Sequence, residues 1–358
     1  MKILLVNERL PYASTSFYSL DLALALQKDG DQVCLCTRGG DLCNVFRARR
    51  IKVFPTKANL FSQLRLIQFL RAFSPDLIHI QNIRSIELGQ KLSRKLEIPH
   101  IVTIHRVLPP TPLGLEHRLL AGVISLNEMI RASLVNEHGI PKNLIRVMRH
   151  GVNVDAFRPR PEPSAENRDD TLPVLGCIGR LTYVKGPEFF VRAARVVLDR
   201  GFNAMFMIVG EGSEEGKLRS LVNELKMQDH VTFLPHMPSR RELYRIFDIV
   251  VVPTLRGGVG ATALEAMAMA KPVVATAVGE LLGMIEHEKT GLLVEEKKPE
   301  ALAAGMIQLI QNRPFAKDLG QAARQFVCET FPLASMVKET REFYEEVQNQ
   351  LLEEWLEA

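Results

Sequence analysis

The chain has 358 residues, 46% hydrophobic and 24% charged, with a formal net charge of +4. Such proportions are ordinary for a globular enzyme, and the length exceeds what one core usually holds, so two domains are expected. No stretch approaches the run of ~18–20 apolar residues that a membrane span needs.

The opening apolar run at 3–6 is too short for a signal peptide, meets Glu8 at once, and reads as a buried first strand. Further strands are predicted at 32–37, 52–54, 77–80, 100–104, 122–125 and 145–148, with helices at 15–29, 60–73 and 86–96 between them. Strands rich in Val and Ile that alternate with helices imply βαβ units and a parallel sheet. The loop after the first strand reads Pro11-Tyr12-Ala13-Ser14-Thr15-Ser16. The hydroxyls of Ser14 and Thr15 there can donate hydrogen bonds. Residues 47–52 concentrate four cations, read either as a solvated turn or as part of an anion-facing surface. The helix at 60–73 sets aromatic and aliphatic residues among basic ones. It could cover its own sheet or dock on a membrane surface, and covering the sheet is the commoner fate.

The segment 158–171 is polar and proline-rich and reads as a linker between a first domain, 1–157, and a second, 172–331. In the second domain strands are predicted at 174–177, 204–209, 231–233, 249–252, 273–275 and 292–294. The helices fall at 187–200, 215–226, 240–247, 261–270 and 299–312. The last residues, 332–358, read as one amphipathic helix expected to pack back on the first domain. The fold class is therefore α/β, two doubly wound Rossmann-like domains whose ligands bind at the carboxyl ends of the strands. The active site is expected in a cleft between them.

Charge is uneven. Residues 1–150 hold 21 Lys and Arg against 11 Asp and Glu, whereas 151–358 hold 24 against 30. A basic first half suggests an anionic partner. Nucleic acid is disfavoured, because no helix-turn-helix, zinc-finger or aromatic-interleaved signature accompanies the charge. The five cysteines, at 34, 36, 43, 177 and 328, are odd in number and scattered. That fits a reducing, cytoplasmic setting and offers no thiolate metal site.

Two segments carry the chemistry. Gly179-Arg180-Leu181-Thr182-Tyr183-Val184-Lys185-Gly186 sets two cations at the mouth of a strand. Gly257-Gly258-Val259-Gly260-Ala261-Thr262-Ala263-Leu264-Glu265 is a glycine turn feeding a helix that carries a carboxylate. Arg180 offers a planar fork and Lys185 a mobile point charge to phosphate oxygens. The helix start offers backbone N–H groups to the same phosphates, and Glu265 can accept from ribose hydroxyls. Together they describe a pocket for a nucleotide-diphosphate sugar. Charge that grows on the leaving diphosphate would be met by fixed positive groups. No acidic cluster stands ready to hold a magnesium ion, so no metal is expected.

In order and spacing these segments resemble the retaining GT-B glycosyltransferases of the group 1, or family 4, kind. Further stretches carry the likeness. They are Val209-Gly210-Glu211-Gly212, Phe233-Leu234-Pro235-His236-Met237, Lys271-Pro272-Val273-Val274-Ala275-Thr276, Thr290-Gly291-Leu292-Leu293-Val294 and Ile101-Val102-Thr103-Ile104-His105. The resemblance implies transfer of a sugar from a UDP- or GDP-sugar with retention, without a metal, to a glycan, lipid-linked, small-molecule or anionic hydroxyl acceptor. It implies work in cell-envelope polysaccharide synthesis and, through the basic first half, peripheral contact with the inner membrane. It implies donor contacts for Gly179, Arg180, Lys185, Gly210, Glu211, Met237, Gly257, Gly258, Gly260, Ala261, Leu264 and Glu265. His105 would approach the donor sugar.

The chain departs from the pattern in three places. Glycine stands at 257, where a first donor-site glutamate is expected eight positions before Glu265. The first loop lacks the glycine pair expected near acceptor and phosphates; the resemblance implies that place for Ala13, Ser14 and Thr15, with hydroxyls as donors. The turn Gly279-Glu280-Leu281-Leu282-Gly283 has one glycine, then Glu280, where two glycines and then a glutamate are expected. Two other readings are a sugar-nucleotide epimerase of the same fold, and a nucleotide-binding scaffold impaired by Gly257.

Overall fold

The computed structural model describes residues 1–56, 60–115, 118–159, 172–235, 239–256 and 260–357. The predicted site residues Met237, Gly257 and Gly258 lie outside the described residues, as does most of the linker read at 158–171. The chain forms two compact units, Met1–Gly151 with Leu333–Ala358, and Val152–Pro332.

The first unit is built on a sheet of β1 (Lys2–Asn7), β2 (Gln32–Thr37), β3 (Lys52–Pro55), β4 (Leu77–Ile80), β5 (His100–Ile104), β6 (Leu120–Ser125) and β7 (Ile145–Val147). All neighbours run parallel in the order β3-β2-β1-β4-β5-β6-β7. The order reverses direction between β1 and β4, which makes that the switch point of a doubly wound sheet. Ile3, Leu4, Leu5, Val6, Ile78, Ile80, Ile101, Val102 and Ile104 are wholly buried. A parallel strand covered on both faces needs such runs, which is why these segments were legible as strands. Its helices are α1 (Ser14–Lys28), α2 (Cys43–Ala48), α3 (Leu60–Phe73), α4 (Ile86–Leu96) and α5 (Glu128–Asn136).

The second unit repeats the plan with β8 (Val174–Ile178), β9 (Met205–Val209), β10 (Val231–Leu234), β11 (Ile249–Val252), β12 (Val273–Thr276) and β13 (Leu292–Val294), ordered β10-β9-β8-β11-β12-β13 and parallel throughout. Ile249 and Val251 join one core while Val250 and Val252 join the other, so alternate residues of one strand serve both faces. The helices α6 (Pro187–Asp199), α7 (Glu215–Glu224) and α10 (Pro299–Gln311) pack into the first core; α8 (Arg240–Ile246) and α9 (Ala261–Ala268) pack into the second. The eighteen-residue α11 (Arg313–Thr330) feeds both, through Ala316 and Leu319 to one and Ala323 and Val327 to the other.

The last helix, α12 (Leu333–Glu357), belongs to the first unit. Thr340 and Tyr344 are wholly buried, and Gln348 donates to the Asp76 carbonyl at 2.7 Å. A Cβ on Gly122 of β6 would stand 2.3 Å from the Phe343 ring, so the strand yields that space to the helix. Two expectations change here. The boundary lies after Gly151, so 152–157 belong to the second unit and are tied there by Val152 N–H donating to the Phe331 carbonyl at 2.9 Å. And α12 is acidic, so the first unit holds 23 Lys and Arg against 18 Asp and Glu. Its basic surplus is half that of residues 1–150.

Three helices escaped the sequence reading: α2, α5 and α11. Two of them carried a usable signal. Asn127 accepts from the Ile130 N–H at 2.8 Å and Asn312 from the Phe315 N–H at 3.1 Å, both as N-caps, and Pro314 follows in the first turn of α11. Among the described residues no helix is long and apolar enough to cross a membrane.

Candidate functional site

β8 and β11 flank the switch point of the second sheet, and the loops leaving their carboxyl ends hold the two predicted cations and the glycine turn. The β8 loop is laid down by backbone bonds. Gly179 N–H donates to the Val209 carbonyl at 3.0 Å, Leu181 N–H to the Glu211 carbonyl at 2.9 Å, and Glu214 N–H back to the Leu181 carbonyl at 3.0 Å. Gly210 N–H donates to the Leu234 carbonyl at 2.9 Å. Gly210 and Glu211, expected to contact the donor, thus shape the loop that presents Arg180.

Tyr183–Lys185 form a single 3-10 turn closed by Gly186, which has φ +67° and caps α6 ahead of Pro187. Glycine is required there twice over. The left-handed conformation costs any other residue about 1–2 kcal/mol, and a Cβ would stand 1.9 Å from the Pro253 carbonyl oxygen. Leu255 N–H donates to the Val184 carbonyl at 2.9 Å. The β8 and β11 loops are therefore stitched together, with Lys185 at the seam.

A third loop joins them. The Thr276 hydroxyl at the end of β12 donates to the Thr254 carbonyl. Gly260, φ +59°, caps α9, and a Cβ there would lie 2.2 Å from the Met284 sulfur, so the turn after β12 packs on the helix start. Arg180 is exposed and Lys185 half-buried. Burial pushes the Lys185 ammonium below its ordinary value and Arg180 adds to that, while Glu280 of the third loop and Cys177 pull it back up. Glu280 is raised by its own burial, with Lys185 opposing. The Cys177 thiol beneath is pushed up to about 12 by burial and stays neutral.

Within α9 the predicted residues separate. Gly260 and Ala261 stand at the helix start. The Leu264 side chain is wholly buried in the core. Glu265 is only 5% exposed. Its carboxylate accepts from the Arg240 guanidinium on one oxygen and from the Tyr244 hydroxyl at 2.9 Å on the other. The acceptor expected to serve a ribose is engaged by protein partners. Arg240 also lies over the Phe157 ring, 5.6 Å from its centroid, and burial with the Glu265 charge drives the Tyr244 phenol well above its ordinary value. Arg240 and Tyr244 are partners of Glu265 that sequence reasoning missed. Their i, i+4 spacing puts them on one face of α8, but only the fold supplies Glu265.

In the first unit Ala13 is the N-cap of α1, which Ser14 and Thr15 open. His105 follows β5 and is 7% exposed. Its Nε2 donates to the Gln81 carbonyl at 2.7 Å and its ring meets Tyr18 edge-on at 4.9 Å. Burial lowers it to about 4, so the ring is neutral with Nδ1 as acceptor. Nearby, Asn7 at the end of β1 donates to the Ser19 hydroxyl at 3.1 Å, and that hydroxyl donates to Gln81 at 2.9 Å. His79 is a core residue, its ring nitrogens 2.6 Å from the Tyr344 and Thr103 hydroxyls. Burial lowers it to about 3. Among the described residues no three His, Cys, Asp or Glu side chains are gathered so as to hold a metal ion.

Comparison with known proteins bears on the whole chain. The family model described as glycosyl transferases group 1 matches residues 160–326, and that described as glycosyltransferase family 4 matches residues 16–156. An uncharacterized glycosyltransferase of Methanocaldococcus jannaschii is 27% identical over 96% of this chain and 98% of its own length. The D-inositol 3-phosphate glycosyltransferase of Pseudarthrobacter chlorophenolicus is 31% identical over 74% of this chain and 70% of its own. Among solved structures, Anabaena HepE in complex with UDP-glucose aligns with a TM-score of 0.85 at 18% identity, covering 97% of this chain and 100% of that one. A glycosyltransferase from Rickettsia africae aligns with a TM-score of 0.80 at 22% identity, over 97% and 98%. With one family model on each unit and relatives above 30% identity along most of their length, the chain belongs to the group 1, family 4 glycosyltransferases.

Proposed function

We propose that the chain transfers a sugar from a nucleotide-diphosphate sugar to a hydroxyl acceptor, with retained configuration and without a metal ion. The observation that supports the donor half is the seam between the β8 loop, which carries Arg180 and Lys185, and the β11 loop, which leads in sequence to α9. As the glycosidic bond breaks, negative charge grows on the departing diphosphate. Arg180 binds it as a fork, Lys185 as a point charge, and the helix start adds its N–H groups and dipole. These groups supply the neutralisation a divalent cation would otherwise provide. Retention follows from attack on the face the diphosphate leaves, with the leaving phosphate taking the acceptor proton. His105 enters as a neutral acceptor at Nδ1 for a sugar hydroxyl.

For the acceptor, an anionic or phosphorylated alcohol fits best. The first unit keeps a basic surplus even with α12 counted, and several relatives are named for D-inositol 3-phosphate. A lipid-linked or glycan acceptor carrying phosphate has the same chemistry, and the same surplus would hold the enzyme at an anionic membrane surface.

The donor reading is tested by thermal shift with UDP, GDP, ADP and dTDP against the wild type and Arg180→Ala. A ligand at ~100 times its dissociation constant stabilises the native state by about 2.7 kcal/mol. A shift with one nucleotide that disappears in the variant supports the site and identifies the base. No shift with any of the four overturns it.

A further inference from the structure

Glu280 stands on the turn Gly279–Gly283 that follows β12. That turn is fixed against the donor loops at two points, the Thr276 hydroxyl on the Thr254 carbonyl and the Met284 side chain against Gly260 at the cap of α9. Glu280 is half-buried there, and the Thr254–Leu255 segment that Thr276 holds is itself bonded to the Lys185 turn, Leu255 N–H donating to the Val184 carbonyl at 2.9 Å, in keeping with the upward pull of Glu280 on Lys185. A carboxylate beside a phosphate-binding lysine repels the phosphate that the lysine attracts. The repulsion differs between substrate and product. In a nucleotide-diphosphate sugar each phosphate carries roughly one charge. The free nucleoside diphosphate has a terminal phosphate with a second ionisation near ~6 and carries nearly one more at neutral pH. The sugar also presents hydroxyls, which donate to a carboxylate, whereas the free diphosphate ends in acceptors alone.

We propose that Glu280 is the specificity-determining carboxylate of the donor site: it accepts from a hydroxyl of the transferred sugar and disfavours the free nucleoside diphosphate, so that it selects intact donor and speeds product release. The inference rests on the donor reading of Arg180 and Lys185. It gives the pocket a carboxylate from the β12 turn, in a chain that has glycine at position 257.

The test is calorimetric titration of the full chain at pH 8 with UDP, GDP and ADP and with UDP-glucose, GDP-glucose and ADP-glucose. Wild type is compared with Glu280→Gln, Glu280→Gly and Arg180→Ala. For the base that binds, Glu280→Gln is expected to hold the free diphosphate about tenfold tighter while the glucose conjugate gains nothing. Glu280→Gly, which removes the acceptor altogether, should weaken the conjugate below wild type. Equal changes for both ligands, or no change for either, overturn the role of Glu280 and leave the donor site standing if Arg180→Ala still weakens both. A wild type that binds none of the six overturns the donor reading and this inference together.

Discussion

Arg240 and Glu265 form an ion pair in which the Glu265 side chain is 6% exposed and the Arg240 side chain 18%. The pair joins α8 to α9, and the Tyr244 hydroxyl completes it at 2.9 Å. Removing one member leaves the other charged and buried. Arg240→Met is expected to cost about 3–5 kcal/mol, read as a lower urea midpoint at unchanged slope. Arg240→Met with Glu265→Gln should recover most of that. A double variant no more stable than the single one would mean that the charges are not coupled.

Removal of the Lys185 charge should be felt in catalysis more than in folding. Lys185→Met relieves a half-buried ammonium already pushed below its ordinary value, so its thermal midpoint should hold or rise. Its kcat with a competent donor should fall by the scale of a lost oxyanion donor, about 3–4 kcal/mol. Unchanged turnover would remove Lys185 from the mechanism.

Two glycines of positive φ separate strain from clash. Gly201 has φ +82° with open space where an added methyl would stand, whereas at Gly186, φ +67°, a methyl meets the Pro253 carbonyl at 1.9 Å. Gly201→Ala should cost about 1 kcal/mol. Gly186→Ala should cost about 3 kcal/mol or more, because the β8 and β11 loops must part, and it should weaken nucleotide binding as well. Equal costs at the two sites would show that the seam yields freely.

The buried histidines set a pH window. His79 and His105 are held neutral, at about 3 and about 4 against 6.5. Above pH 6.5 neither state binds the proton and their contribution is fully present. As pH falls from 6.5 towards 4 the unfolded chain takes up protons that the native chain refuses, so stability drops by up to about 1.4 kcal/mol per pH unit for each ring. Thermal melts between pH 7 and 4.5 should show this slope. His79→Gln should reduce it by the share of one ring, and an unaltered slope would mean that His79 is not held neutral.

Much of the site and nearly all of the sheet were legible in the amino-acid order. Buried parallel strands need unbroken Val and Ile runs, and runs such as 3–6 and 249–252 leave no other reading. Arg180, Lys185 and the glycine cap at 260 announce themselves because a cation at a strand mouth and a residue of positive φ are local requirements, met by neighbours in sequence. What the tertiary structure alone decided is pairing at a distance. Only the fold brings Arg240 to Glu265 across 25 positions. Only the fold seats the β12 turn on the start of α9 and carries the charge of Glu280 to Lys185. Local conformation is written in steric and hydrogen-bonding preferences that each short segment carries with it. The partner of a buried charge is chosen by whichever segment the packed core delivers, and no segment carries that choice by itself.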